Sequence, residues 1–266
     1  MSIFESMQIT KNLSASRLIL LFASGVALFF LIAPLTGVFL SLKAPNLFET
    51  ANDIQVRNSI FRTLAISCLA TALSSLFAIP LAYLLARKKF PLKGLLEAII
   101  DIPVVIPHSA AGIALLGFIS RDSMVGSLAS KAGFTLVGSP VAIGMAMAFV
   151  SLPFLINSAK EGFAAVPLRL EHAAATLGAS EFTVFTKITL PVASRSVVSG
   201  LVLMFARGMS EFGAIVIVAY HPMTTPVMIF DRFNSFGLDY ARPVAAIFIA
   251  ITIVLFIFLR SYQKKR

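Results

Sequence analysis

Charge is scarce in this chain. Only 13% of its 266 residues are Asp, Glu, Lys or Arg, against about 25% in a soluble globular domain, and that removes the soluble class. Acids are scarcest, 12 against 22 basic residues, which leaves a net charge of +10. No Arg-rich polar domain is present to follow a phosphate backbone, so nucleic acid is excluded as a partner. The basic residues are unevenly spread, which argues instead for oriented membrane insertion. Cysteine is nearly missing. Cys68 stands alone in an apolar run, so disulfides and cysteine metal sites within one chain are excluded. It reads as a small lipid- or core-facing residue. No Ser-His-Asp set, metal-ligand spacing or paired carboxylates stand out, so neither catalytic nor metal-binding residues are assigned and a membrane enzyme is disfavoured. Also missing are a G-x-x-x-x-G-K-[ST] phosphate loop, a convincing internal repeat, an inverted pair of broken spans and a long Gly/Ser/Pro linker. The chain reads as one membrane domain that binds no cofactor of its own.

What is present is apolar: 58% of residues are hydrophobic and the mean hydropathy is +0.92. Six apolar stretches recur at spanning length. They are Leu18–Leu42, Leu64–Ala86, Ala98–Ile119, Val141–Ser158, Val192–Val218 and Ala241–Leu259. The first is too long for a signal-peptide core and is expected to stay in the membrane. Pro34, Pro80, Pro103, Pro107 and Pro153 fall inside spans, where neighbouring helices and hydroxyls tolerate them. Fourteen basic residues, among them Lys11, Arg17, Arg87–Lys89, Arg169, Lys187, Arg260 and Lys264–Arg266, fall in one alternating set of connections and termini. Seven fall in the other: Lys43, Arg57, Arg62, Arg121, Lys131, Arg232 and Arg242. The richer side is read as cytoplasmic, so both termini and the connection holding Glu171 lie inside.

That connection, from Glu171 to Pro191, reads EHAAATLGASEFTVFTKITLP. Pro167 opens a helix, Leu168, Leu170, Ala174 and Leu177 form a modest apolar face, and Gly178 interrupts it. Ser180-Glu181 supplies a new N-cap with an acidic first turn. The result is two short helices around a Gly corner. They either rest on lipid headgroups or dock a protein. A headgroup helix would have a polar face rich in Lys and Arg, whereas this one carries Glu171, His172, Thr176 and Glu181 beside Arg169 and Lys187. Ala173, Ala174, Ala175 and Ala179 permit close approach, so docking is favoured.

The pattern Ala173-Ala174, Gly178 and Ile188-x-Leu190-Pro191 resembles the EAA loop of ABC importer permeases. In that family the Glu stands six positions before the Gly; here that position is His172, with Glu171 one place earlier. Asp101–His108, Asn157–Phe163, Arg207–Ala214 and Val218–Pro222 resemble the molybdate/tungstate permease group, and sulfate permeases share much of the pattern. The resemblance covers nearly the whole chain after Ser59. It implies an all-α membrane protein with the six-helix type I importer fold and cytoplasmic termini. Residues 1–57 would hold the first span and an outer loop, 58–260 the permease domain and 261–266 a basic tail. The chain would be a transporter subunit in the cell membrane of a bacterium or archaeon. A homodimer would move molybdate or tungstate, with sulfate or thiosulfate as the alternative, by alternating access. Two copies of a separate ATPase would hold the ATP and Mg and take up the loop through Glu171, His172, Ala173, Ala174, Gly178, Ala179 and Pro191. An extracytoplasmic binding protein would deliver the oxyanion.

Charges within the spans form the second set of candidates. Arg207 and Glu211 are one helical turn apart and able to pair, with Ser210 between them. A charge at the bilayer centre costs at least about 2.5–3.5 kcal/mol, so both face protein or a water-filled path. They either line the oxyanion route or form a structural pair. Asp101 and His108 would share a face of a straight third span, as a gate or in packing, but Pro103 and Pro107 make a kink there; His108 is expected to be a buried histidine bonded to a neighbouring span. Two readings of another class stay open: an ATPase-independent channel or secondary carrier, and a membrane scaffold.

Overall fold

The computed structural model describes residues 15–264. Lys11, Lys265 and Arg266, counted above for orientation, lie outside the described residues. The described residues form helices, turns and loops with no strand among them. Two compact units are present, up to Phe48 and from Glu49 onward.

The first unit is built on α1 (Ala15–Leu40), which is apolar on all faces and contains Pro34. A short helix, α2 (Ala44–Asn52), follows. The outer loop expected before residue 58 is thus largely helical. Asp53 explains where it resumes: its carboxylate accepts the Gln55 N–H at 2.8 Å and starts α3 (Ile54–Arg87) ten residues before the apolar run.

The second unit is organised around α7 (Pro140–Ala165), whose apolar window is 50% buried. Ser139 caps it and Pro140 opens its first turn. Ala142, Ala146 and Val150 bury one stripe, and Leu155, Ala159 and Phe163 continue the burial. Helices α3 and α11 (Ser194–Met209) pack along it. Gly200 and Gly208 allow this: a Cβ at Gly200 would lie 3.0–3.2 Å from Ser158 and Leu155, and one at Gly208 3.2 Å from Ser67 Oγ. Small residues bring helix backbones close where apolar burial alone gives no drive.

Two predicted spans are broken. The third divides into α4 (Lys93–Val105) and α5 (His108–Ile119), which meet at 111°. Pro107 causes this by forcing Ile106 into the extended region, φ −71 and ψ 148. The fifth does not run from 192 to 218 as one helix. Its lead-in, residues 181–192, meets α11 at 77°. Beyond Met209 the helix stops, and α12 (Ile215–Val218) resumes after a non-helical link. Among the described residues four helices are long and apolar enough to cross a membrane, or six if each bent pair is one span. The bend at Pro107 meets the kink expected there, whereas the 77° bend before α11 was not expected.

Three short helices were not read from the sequence: α2, α6 (Met124–Lys131), and α13 (Thr225–Phe236), which pairs with α14 (Leu238–Lys264). At the start of α3, Val56 packs with Met228 of α13 and Val244 of α14. Asp53 there forms an ion pair with Arg232.

Candidate functional site

The loop after α7 begins at Pro167, the N-cap of α8 (Leu168–Thr176). α8 ends in a Schellman closure: Gly178 N–H donates to the Ala175 carbonyl at 2.9 Å and Ala179 N–H to the Ala174 carbonyl at 3.0 Å. Gly178 supplies the required left-handed backbone, φ +85. Ser180 then caps α9 (Glu181–Val184) by accepting the Thr183 N–H. A π turn at Phe185–Thr189 and α10 (Leu190–Val192), which contains the exposed Pro191, lead to α11. Helix, Gly corner and second helix thus stand in the order expected.

The side chains point differently from the sequence reading. Glu171, assigned to the exposed polar face, turns inward. Its Oε1 accepts from Arg87 Nε at 2.9 Å, Arg87 Nη2 at 2.6 Å and Thr189 Oγ1 at 2.8 Å. Arg87 Nη2 also donates to the Val166 carbonyl at 3.0 Å. The two charged side chains are only 10% and 12% exposed. One carboxylate therefore ties the end of α3, the end of α7, α8 and the π turn together. Beneath it Tyr83, Phe163 and Phe185 form an aromatic cluster with centroids 4.8–6.0 Å apart. Sequence reading missed Arg87 and Thr189: Arg87 is 84 residues from Glu171 and looks like one of three consecutive basic residues.

Of the apolar residues on α8 only Ala174 is buried. Leu168, Leu170 and Leu177 are exposed, Leu177 at 89%, and Phe182 beside them is 75% exposed. His172, Ala173 and Glu181 share this outer surface, and Ala179 is half-buried. Leucines and a phenylalanine at a loop tip, ringed by polar residues, are the composition of an interaction surface. The Lys88–Glu181 contact at 3.9 Å joins two exposed groups and contributes little.

The second group gathers where the break at Pro107 meets the non-helical link after α11. Glu211 lies in the link after α11 and is 1% exposed. Its Oε1 accepts the Ala214 N–H at 2.8 Å, replacing a backbone acceptor and stopping the helix. Its Oε2 lies 3.0 Å from Arg207 Nη2 and 3.0 Å from His108 Nδ1. Arg207 Nη2 is 2.9 and 2.8 Å from the two ring nitrogens, so the guanidinium sits over the imidazole. Ser210 Oγ lies 3.5 Å from Arg207 Nη1 and donates to the Arg207 carbonyl. Gly213 permits the approach; a Cβ there would be 2.6 Å from His108 Cβ. His108 is not buried as expected, since its side chain is 40% exposed, but it is bonded to another segment. Asp101 is elsewhere: it accepts from Asn157 Nδ2 of α7 at 2.7 Å, with a second rung where Lys160 Nζ meets Glu97 at 3.2 Å. The 111° bend is what separates Asp101 from His108.

Residues 78–265 match the family described as binding-protein-dependent transport system inner membrane component. The chain belongs to this family. It is a permease subunit of an ABC importer. The permease is 44% identical over 217 residues to the molybdate/tungstate transport system permease protein of Pyrococcus abyssi, covering 80% of this chain and 81% of that protein. It is 38% identical over 240 residues to the protein of that description from Methanocaldococcus jannaschii, covering 87% and 95%. A solved bacterial alginate ABC transporter, in complex with a periplasmic protein carrying an alginate pentasaccharide, superposes with a TM-score of 0.73 over 93% of this permease and 94% of that chain. Identity there is 18%, so the likeness is one of fold.

Proposed function

We propose that the permease carries a tetrahedral oxyanion, molybdate or tungstate, through the cell membrane, driven by ATP hydrolysed on a separate subunit. The substrate class follows the relatives' names, and the drive follows the loop. The observation that carries the reading is the loop's two-sidedness. Glu171 fastens its inner side to α3 and α7, while Leu177 and Phe182 stand exposed on its outer side. A surface tied firmly to the spans and apolar toward solvent suits a partner that pushes on the membrane part. In this reading each bent pair is one span, giving six, and the loop and both termini are cytoplasmic. Two copies of the chain enclose the path, two ATPase subunits seat on the two loops, and an extracytoplasmic binding protein delivers the ion.

ATP closure would then move α8 and α9 as a lever about Gly178 and Pro191. Transport needs two packings of the spans close in free energy, biased by nucleotide. The two helix breaks are where such a repacking costs least, because few backbone hydrogen bonds cross them. Arg207 and Ser210 lie on the route, and Arg207 neutralises the buried Glu211, which would otherwise repel an oxyanion.

Reconstitution tests this. The permease is placed in proteoliposomes with its ATPase subunit and binding protein, and uptake of labelled molybdate, tungstate and sulfate is followed. Uptake is expected only with ATP and binding protein together, and strongest for molybdate or tungstate. Uptake that proceeds without an ATPase subunit would establish the channel or secondary carrier instead.

A further inference from the structure

At the end of α3 remote from the loop lies a pocket that none of the steps above uses. At 1.5 Å rise per residue, Arg62 is roughly 37 Å along α3 from Arg87. The pocket has a volume of about 310 Å³ and is lined by Gln55, Asn58 and Arg62 of α3, His221 and Met223 of the link before α13, and Met228.

The nearby carboxylates are engaged elsewhere: Asp53 is paired with Arg232, and Asp231 accepts the Tyr220 hydroxyl at 2.6 Å. Arg62 has no carboxylate partner among the described residues. Its one hydrogen bond there runs from Nη1 to the Met223 carbonyl at 2.5 Å. A guanidinium has five N–H donors, so most of those on this pocket-lining side chain have no acceptor among the described residues. Arg62 is half-buried, and a partly desolvated cation without a counter-ion is costly until an anion meets it. Asn58, Gln55 and His221 add hydrogen-bonding groups around the same space. Such a set fits an ion with several oxygens, since the planar fork engages two and the amides reach others.

The walls are held in advance. Thr225 N–H donates to Thr63 Oγ1 at 2.8 Å, and the Thr225 hydroxyl faces those of Thr63 and Ser59 at 3.2 and 3.4 Å. These bonds fasten the start of α13 to α3, so little ordering is left for binding.

We propose that this pocket is an anion subsite at the outer mouth of the permease, in which Arg62 holds a free tetrahedral oxyanion before it enters the spans. It rests on the reading above that this end of α3 faces outward. A free ion suits a concavity walled by three segments better than a partner's carboxylate, which would have to be inserted on a side chain.

The test is equilibrium binding of labelled tungstate to the full-length permease in detergent, with no binding protein present. Arg62→Gln is expected to weaken binding about tenfold or more, the scale of a lost charged hydrogen bond. Asn58→Asp, which leaves the Arg62–Met223 bond in place, puts a carboxylate in the pocket and is expected to do the same. Arg57→Gln, at an exposed cation outside the pocket lining, should leave binding unchanged. Wild-type affinity in both pocket variants overturns the inference, and Asn58→Asp decides alone should Arg62→Gln not fold. Retained tungstate binding with lost capture of the binding protein would also overturn it, because the pocket would then take a partner's carboxylate. Should the wild type bind no tungstate while the reconstituted transporter imports it, the subsite fails and the importer stands. Should Arg62-dependent binding persist where no oxyanion is imported, the importer reading fails and the subsite stands.

Discussion

Replacing Glu171 by Gln removes one charge and almost no volume, and the structure allows the consequence to be worked out. The carboxylate accepts three hydrogen bonds at 2.6–2.9 Å and is 12% exposed, against an Arg87 that is 10% exposed. A solvent-exposed pair contributes about 0–1 kcal/mol, and breaking a fully buried one costs about 3–5 kcal/mol. A pair covered to this degree, with Arg87 still bonded to the Val166 carbonyl, falls between, at about 2–3 kcal/mol. With a factor of ten for about 1.4 kcal/mol, local opening of α8 should become roughly 30–140 times more frequent. Amide hydrogen exchange reports that opening directly. Protection of residues 170–176 should fall by that factor while the amides of α7 stay protected. Arg87→Gln should give a similar loss, and the double variant less than the sum, with a coupling of about 2 kcal/mol for groups in contact. Unchanged exchange in α8, or strict additivity, would refute the idea that this pair fastens the loop.

Three further outcomes follow from the geometry. Gly178→Val meets no neighbour within 4 Å but must hold φ +85, a strain of about 1–2 kcal/mol. Uptake per ATP hydrolysed should drop with the spans intact, and Gly178→Asn should be milder; full uptake in the valine variant would argue against a lever. Arg207→Gln and Glu211→Gln should each lower the yield of folded protein, because each leaves a charge without its partner, and the double variant should restore it. If the restored double variant still imports, the pair is structural; if it inserts but does not import, Arg207 meets the ion. Asp53→Asn keeps the cap of α3 but loses the ion pair to Arg232, whereas Asp53→Ala loses both, so the alanine variant should melt lower by the worth of the cap, about 1 kcal/mol, in a thermal unfolding series.

The long apolar helices were legible because apolar length announces them, and the loop because Pro167, Gly178 and Ser180 each carry a backbone preference that acts locally. The break at Pro107 follows from a local rule too. The second break does not. Residues 192–218 are apolar enough to pass as one helix, and what ends it is a side chain, Glu211, taking the Ala214 N–H. Partners distant along the chain were illegible for a related reason. Nothing in Arg87-Lys88-Lys89 distinguishes the arginine bound to Glu171 from its exposed neighbour, and nothing in α3 marks Arg62 as lacking a carboxylate partner among the described residues. Glu171 was placed on the outer surface because charge on a helix normally faces water; the buried arginine beside it reverses that preference. The exposed leucines err in the opposite direction. Apolar spacing on α8 signals a face that will be covered, but not whether this chain covers it.

Two routes lead from the loop into the spans, and they differ in stiffness. One runs along the chain through α9, the π turn and α10 into α11, across a 77° bend. The other crosses from Glu171 to Arg87 and enters α3, a helix of 34 residues that continues through Pro80. A bend absorbs displacement, because its few hydrogen bonds resist rotation weakly, whereas an unbroken helix passes displacement on as a rigid body. Motion of α8 should therefore reach the other end of α3 chiefly through that helix, which carries Arg87 at one end and Arg62 toward the other. On that account Glu171→Gln, which cuts the stiff route, should uncouple uptake from ATP hydrolysis more severely than Gly178→Val, which disturbs only the corner of the compliant one. The reverse ranking in the same proteoliposomes would mean that the chain path, and not the ion pair, carries the load.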